Sequence, residues 1–186
     1  MITDFKMTRG NAPTTPDAVS VALEASVAND RAAAIIAASW AMAETFTGQT
    51  FYPVTAASGV ANMNEGGDVT WPRYPFPADL VIERWEAGAW LDVTDDVDHV
   101  PEFGLVVTLT AGRYRFTQVG TVTPPTPAAH VVEAVRALAL YQLIHSPARR
   151  EFRQMNAGDS SLTRESLDGL FRASGAGILL AGEVRW

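Results

Sequence analysis

Thr123-Pro124-Pro125-Thr126-Pro127-Ala128-Ala129-His130-Val131-Val132-Glu133-Ala134-Val135-Arg136-Ala137-Leu138-Ala139-Leu140-Tyr141-Gln142-Leu143-Ile144-His145 decides how the chain is organised. The three prolines favour an extended backbone and form a stiff hinge, and the alanine-rich run after them predicts a helix over 128–145 that stops before Ser146-Pro147. Val131, Val132, Val135, Leu138, Ala139 and Leu143 supply one apolar face, while Ala137, Leu140, Tyr141 and Ile144 cover much of the other side. A helix apolar nearly all round is buried on more than one side. In a chain of this size that points to a neighbouring subunit as well as an internal core, with Leu140, Tyr141 and Ile144 as candidate subunit-interface residues.

Upstream of the hinge, from Gln49 to Thr123, alternating and aromatic-rich segments broken by Gly, Pro and Asp predict short antiparallel strands. Leu80, Ile82 and Arg84 point one way, with Val81, Glu83 and Trp85 the other. Glu86-Ala87-Gly88-Ala89 reads as a turn into Trp90-Leu91-Asp92-Val93. Further strands run over 105–110 and 114–119, joined around Ala111-Gly112. Before this middle lie a short helical turn capped by Asp17 and a stronger helix from Arg31 to about Thr47, capped by Asn29 or Asp30. Ile36, Trp40 and Ala43 form the stripe of that helix, and Gly48 closes it. The first sixteen residues read as an extended polar arm, since Pro13 and Pro16 oppose helix.

Downstream, the helix resumes over 148–155, a polar loop covers 156–161, and a short helix runs over 163–173. Arg149, Arg150 and Arg153 form the one basic cluster, either a solvated face or an ion-pairing contact to an acidic partner, and in the second case they join the candidate subunit-interface residues. The segment 174–186 is apolar and glycine-spaced. Ile178, Leu179, Leu180, Val184 and Trp186 would expose costly apolar surface unless covered, so the tail reads as a docking segment with Arg185 as an orienting charge. The alternative is a tail folded back on its own core.

The expected fold is therefore α+β, one domain over 1–186. Its parts are an extended arm (1–16), helices (17–48), a strand-rich antiparallel insertion (49–123), helices (128–173) and a tail. N- and C-terminal helices are expected to make a helical bundle core.

Composition narrows the function. With 186 residues, 47% hydrophobic and 19% charged, the chain can bury a real core. Its longest apolar run, Ala32 to Ala43, is too short to cross a bilayer, and the N-terminus carries no signal-peptide core, so no membrane role is expected. There is no cysteine, which removes disulfides, thiolate nucleophiles and cysteine-based metal sites. The net charge of −7 argues against general nucleic-acid binding. It is unevenly distributed: 7 Lys+Arg face 15 Asp+Glu up to Pro127, against 7 and 6 from Ala128 onward.

Catalytic sets are missing. Asp92, Asp95, Asp96, Asp98 and His99 come nearest to a metal or acid–base site, but their spacing lacks the alternating ligands and fixed glycine of a calcium loop and suits a solvent-exposed turn. A small metal- or ligand-binding domain or enzyme using Asp92 to His99 is the alternative functional reading. His130 and His145 sit at opposite ends of one helix, too far apart to share a metal. No Gly-x-Ser-x-Gly elbow or phosphate-binding Gly-Lys loop occurs. No cofactor and no enzymatic activity are expected. Trp40, Trp71, Trp85 and Trp90 could line a ligand site, though core or interface packing is the commoner use of tryptophan.

An alanine-rich helix running into Ala43-Glu44-Thr45-Phe46-Thr47-Gly48-Gln49, Phe76-Pro77 before a strand pair, the helix Ala134-Val135-Arg136-Ala137-Leu138-Ala139-Leu140-Tyr141, and the small-residue, Leu-Leu, Arg-aromatic ending of Ala176 to Trp186 occur in that order. In this order the chain resembles the head-tail connector, or adaptor, proteins of long-tailed phages and gene transfer agents. It departs from them at Gln49, where a basic residue is common, and at Glu183-Val184-Arg185-Trp186, where a proline-aromatic-arginine ending is frequent. The resemblance implies a structural virion protein of the neck, assembled in the host cytoplasm. It implies a dodecameric ring beneath the portal protein, extending the DNA channel toward the next head-completion or tail protein. DNA would pass the lumen without specific binding. The resemblance also implies that Ile178, Leu179, Leu180, Val184, Arg185 and Trp186 dock on the portal.

Overall fold

A computed structural model describes residues 2–144 and 167–185. The fold is α+β, and the chain divides into two compact units: Met1–Asn11 with Gly48–Pro125, and Ala12–Thr47 with Thr126–Trp186. The first is built of strands and the second of helices. Where the sequence suggests one helical core carrying a strand-rich insertion, the strands enclose a hydrophobic core of their own.

The strand unit contains β1 (Ile2–Arg9), β2 (Val54–Met63), β3 (Gly67–Thr70), β4 (Leu80–Glu86), β5 (Ala89–Asp92), β6 (Asp98–Val100), β7 (Leu105–Leu109) and β8 (Gly112–Gln118). Five strands form an antiparallel sheet in the order β1-β2-β8-β4-β5, and three form a second in the order β3-β7-β6. Alternation dictates which side chains are covered. Leu80, Ile82, Tyr114 and Phe116 are buried with Val69, Val106 and Leu109 of the second sheet, whereas Trp85 is exposed and Val81 and Glu83 are half-exposed. Burying these side chains is the main stabilising term of the unit, at about 1.5–3 kcal/mol for each large apolar group.

One expectation changes here. Residues 2–9 of the expected extended arm are an edge strand, paired along β2. The reason lies in β2, whose small residues hide its strand character: Gly59 lets Ile2 approach so closely that an added Cβ would stand 2.5 Å from the Ile2 Cγ2. The strands around Ala111-Gly112 are consecutive but do not pair with each other. β7 joins β3 and β6, while β8 lies between β2 and β4. The expected turn at Ala87-Gly88 is present, with both residues at positive φ (48° and 89°), the geometry that suits the right-handed twist of a two-residue hairpin.

In the helical unit, α1 (Ala18–Ala25) is capped by the Asp17 carboxylate, which accepts from the Ser20 N–H at 2.9 Å. α2 spans Asn29–Thr47 and buries Ala32, Ile36, Trp40 and Ala43 at helical spacing. The Trp40 indole N–H donates to the Thr15 carbonyl at 2.9 Å. α3 (Ala129–Ile144) packs against α1, α2, α4 (Leu167–Ser174) and α5 (Ala176–Leu180). Its all-round apolar character is thus met in large part by helices of its own chain, and a neighbouring subunit is not needed to explain it. Gln142, buried in the middle, donates to the Ser39 hydroxyl at 2.9 Å and to the Leu138 carbonyl, as a buried amide must. Gly175, at φ 76°, separates α4 from α5.

Candidate interaction surfaces

The C-terminal segment is folded back. α5 seats Ala176 and Leu180, both 0% exposed, within the helical unit. A 3₁₀ turn over Ala181–Glu183 follows. Two bonds then hold the strand-like end: the Arg185 N–H donates to the Thr47 carbonyl at 2.8 Å, and His130 Nε2 lies 2.8 Å from a Glu183 carboxylate oxygen. Of the expected docking residues, Ile178 is 85% exposed, Arg185 is exposed, and Leu179 and Val184 are half-buried. Leu180 is covered by its own chain and presents no surface in this arrangement. Trp186 lies outside the described residues.

The expected subunit-interface residues separate as well. Leu140 is buried and Tyr141 half-buried, while Ile144 is 57% exposed at the end of α3. Arg149, Arg150 and Arg153, together with the helix expected over 148–155, lie outside the described residues. Two further exposed apolar residues, Val19 and Leu23, lie on α1. They stand four residues apart and so share one helix face.

The acidic segment Asp92–His99 has the geometry of a turn. The Asp92 carboxylate accepts from the Thr94 N–H at 2.9 Å and hydroxyl at 2.7 Å, and these bonds hold its pKa below the ordinary carboxylate value. Thr94 in turn offers its hydroxyl oxygen to the Ile82 N–H at 2.9 Å. Asp95, Asp96 and Asp98 are exposed, and among the described residues no three His, Asp or Glu side chains converge to hold a metal ion. Burial of the His99 ring lowers its pKa, against the opposing charges of Asp79 and Glu102.

The most built surface is one the sequence only hinted at. Trp85 of β4 stands opposite Trp90 of β5, their rings edge to face at 5.2 Å. Arg115 and Arg113 of β8 lie over the Trp90 ring at 4.7 and 5.7 Å. Arg115 is also held by Glu83 through two charge-assisted bonds of 2.6 Å, which raise its pKa. Strand alternation puts Glu83 and Trp85 on one face of β4, and Arg113 and Arg115 on one face of β8. The pairing of β8 with β4 brings them side by side, and register is not readable from one strand.

These elements define an α+β protein with an all-antiparallel strand unit and a separate helical unit. No family model matches the chain, and no curated protein matches it in sequence. Among solved structures the fold is similar to a chain of the neck of an empty GTA particle computed with C6 symmetry, with a TM-score of 0.56, 13% identity, and coverage of 92% of this chain and 95% of that one. It is likewise similar to a chain of the virion of a native gene transfer agent particle, with a TM-score of 0.55, 13% identity and coverage of 92% and 94%.

Proposed function

We propose that this protein is a non-enzymatic structural component of a virion neck, in which copies form a ring between the portal protein and the tail or next head-completion protein. The observation that carries the reading is the likeness of fold over 92% of this chain to chains of gene-transfer-agent particles, one of them a neck. The order of sequence features that resembles head-tail connectors supports it independently. A dodecamer is the ring size that this resemblance implies. The acidic balance of −7 suits a wall that DNA slides past, because like charges repel and phosphate is gripped by basic groups.

Within this reading, the exposed and half-buried C-terminal residues Ile178, Leu179, Val184 and Arg185, with Trp186 beyond them, are the portal-docking set. Leu180 serves as the buried anchor of the segment. Ile144, Tyr141 and the Arg149, Arg150 and Arg153 cluster contribute to the contact between copies. Deleting the whole segment from Gly175 would strip Ala176 and Leu180 from the core, so single substitutions are the better probe of docking.

Deletion of the gene in a particle-producing host is expected to leave unattached heads and free tails, restored by the wild-type gene and not by Ile178→Asp. Normal tailed particles from the deletion strain would overturn the reading.

A further inference from the structure

Between Leu91 and Gly112 the chain carries no lysine or arginine. This stretch displays five exposed carboxylates, Asp92, Asp95, Asp96, Asp98 and Glu102, and beside the last of them Phe103, 70% exposed at the tip of a 3₁₀ turn over Pro101–Phe103. Gly104 fixes that tip: it sits at φ 58°, its carbonyl accepts from the Trp71 N–H at 2.7 Å, and an added Cβ would fall 2.3 Å from the Phe76 ring. An aromatic side chain is therefore exposed beside a fixed turn, next to the carboxylate of Glu102.

The complementary surface is on the same unit. Trp85 is 42% exposed and forms an edge-to-face pair with Trp90. Glu83 neutralises Arg115, whereas exposed Arg113 has only the Trp90 ring and makes no ion pair among the described residues. Trp and Arg are the residues most enriched where binding energy concentrates. An aromatic ring beside a carboxylate is what a Trp pair beside a spare guanidinium would accept, by edge-to-face contact and a charge-assisted bond.

We propose that the partner of each surface is the other, on a second copy of this chain: Phe103 of one subunit rests on Trp85 and Trp90 of its neighbour, and Glu102 or Asp98 pairs with the neighbour's Arg113. The proposal rests on the ring reading and names a contact for it. Because the two surfaces differ, the contact is head to tail, the kind that repeats from copy to copy and closes into a ring when the rotation allows. A nucleic-acid partner fits less well, since a single unpaired arginine gives phosphate little to grip.

The absence of cysteine makes a direct test clean. Full-length chains carrying both Glu102→Cys and Arg113→Cys, incorporated into particles and treated with a short bis-maleimide, are expected to give a ladder of linked species beyond the dimer. Either substitution alone cannot extend past a dimer. As a second measurement, Arg113→Glu should reduce incorporation into particles by about tenfold, and Glu102→Arg in the same chain should restore it. Chains present in the particle but never linked beyond the dimer would overturn the contact and leave the neck reading standing. Wild-type chains absent from purified particles would overturn both. Photo-crosslinking of Trp85 to DNA, with no ladder, would assign the surface to nucleic acid and overturn the proposal.

Discussion

The segments 92–104 and 176–185 invert what their compositions suggest. The C-terminal one is apolar enough to read as an uncovered docking arm, yet its Ala176 and Leu180 are folded into the helical unit. The other is acidic enough to read as an idle turn, yet it projects the exposed Phe103. The difference teaches that apolar content sets how much surface must be covered, while the supply of a partner face within the chain sets whether it is covered internally. α3 has apolar residues on several sides and can take α5. The turn at Pro101–Phe103 points away from a strand core already filled by Trp71, Val106 and Leu109.

The sharpest way to break this contrast is in the core of the C-terminal segment. Leu180→Ala is expected to destabilise the chain by about 2–5 kcal/mol, as for other large-to-small changes in a packed core, measured by urea denaturation. A loss under half a kcal/mol would mean that the fold-back contributes little. Gly104→Ala comes next: a left-handed backbone and the approach to Phe76 together predict a loss of about 2–3 kcal/mol, read in the same titration.

A smaller effect comes from His99. Its ring is half-buried, its Nε2 lacks a hydrogen-bond partner among the described residues, and burial holds its pKa below the ordinary value. The unfolded chain therefore binds the proton more readily. Stability should fall as pH drops through about 6.5, the ordinary histidine value, and level off once the folded ring is protonated too. His99→Asn should flatten the difference in unfolding free energy between pH 7 and pH 5, and an unchanged slope would assign it to other groups.

The smallest effects are expected at the two exposed tips. Ile178→Ala and Phe103→Ala should each change stability by no more than about 0.5 kcal/mol, while each impairs particle assembly. Equal loss of stability and assembly at either position would make that residue structural.

Periodicity made the helices legible. The stripe of Ile36, Trp40 and Ala43, the helix after the proline hinge and the stop at Gly48 follow from spacing and capping alone, and so does the β4–β5 hairpin with its Ala87-Gly88 turn. β1 and β2 were not legible as a pair, because Ala56, Ala57, Gly59 and Ala61 have weak strand preference, and pairing with β1 fixes what their side chains do not. The separation of β7 from β8 is likewise a matter of sheet topology. The Trp85–Trp90–Arg113 surface needed cross-strand register, and the exposure of Phe103 needed the place of its turn on the strand core. The burial of Leu180 needed the partner helix.

The central claim is that this chain belongs to a virion neck, and an electron-microscopy reconstruction of the neck of particles from the producing organism tests it most directly. The expected result is a ring of copies of this fold between portal and tail, with the Phe103 tip of each against the Trp85–Trp90 face of the next. A well-resolved neck whose every ring is accounted for by other chains would contradict it.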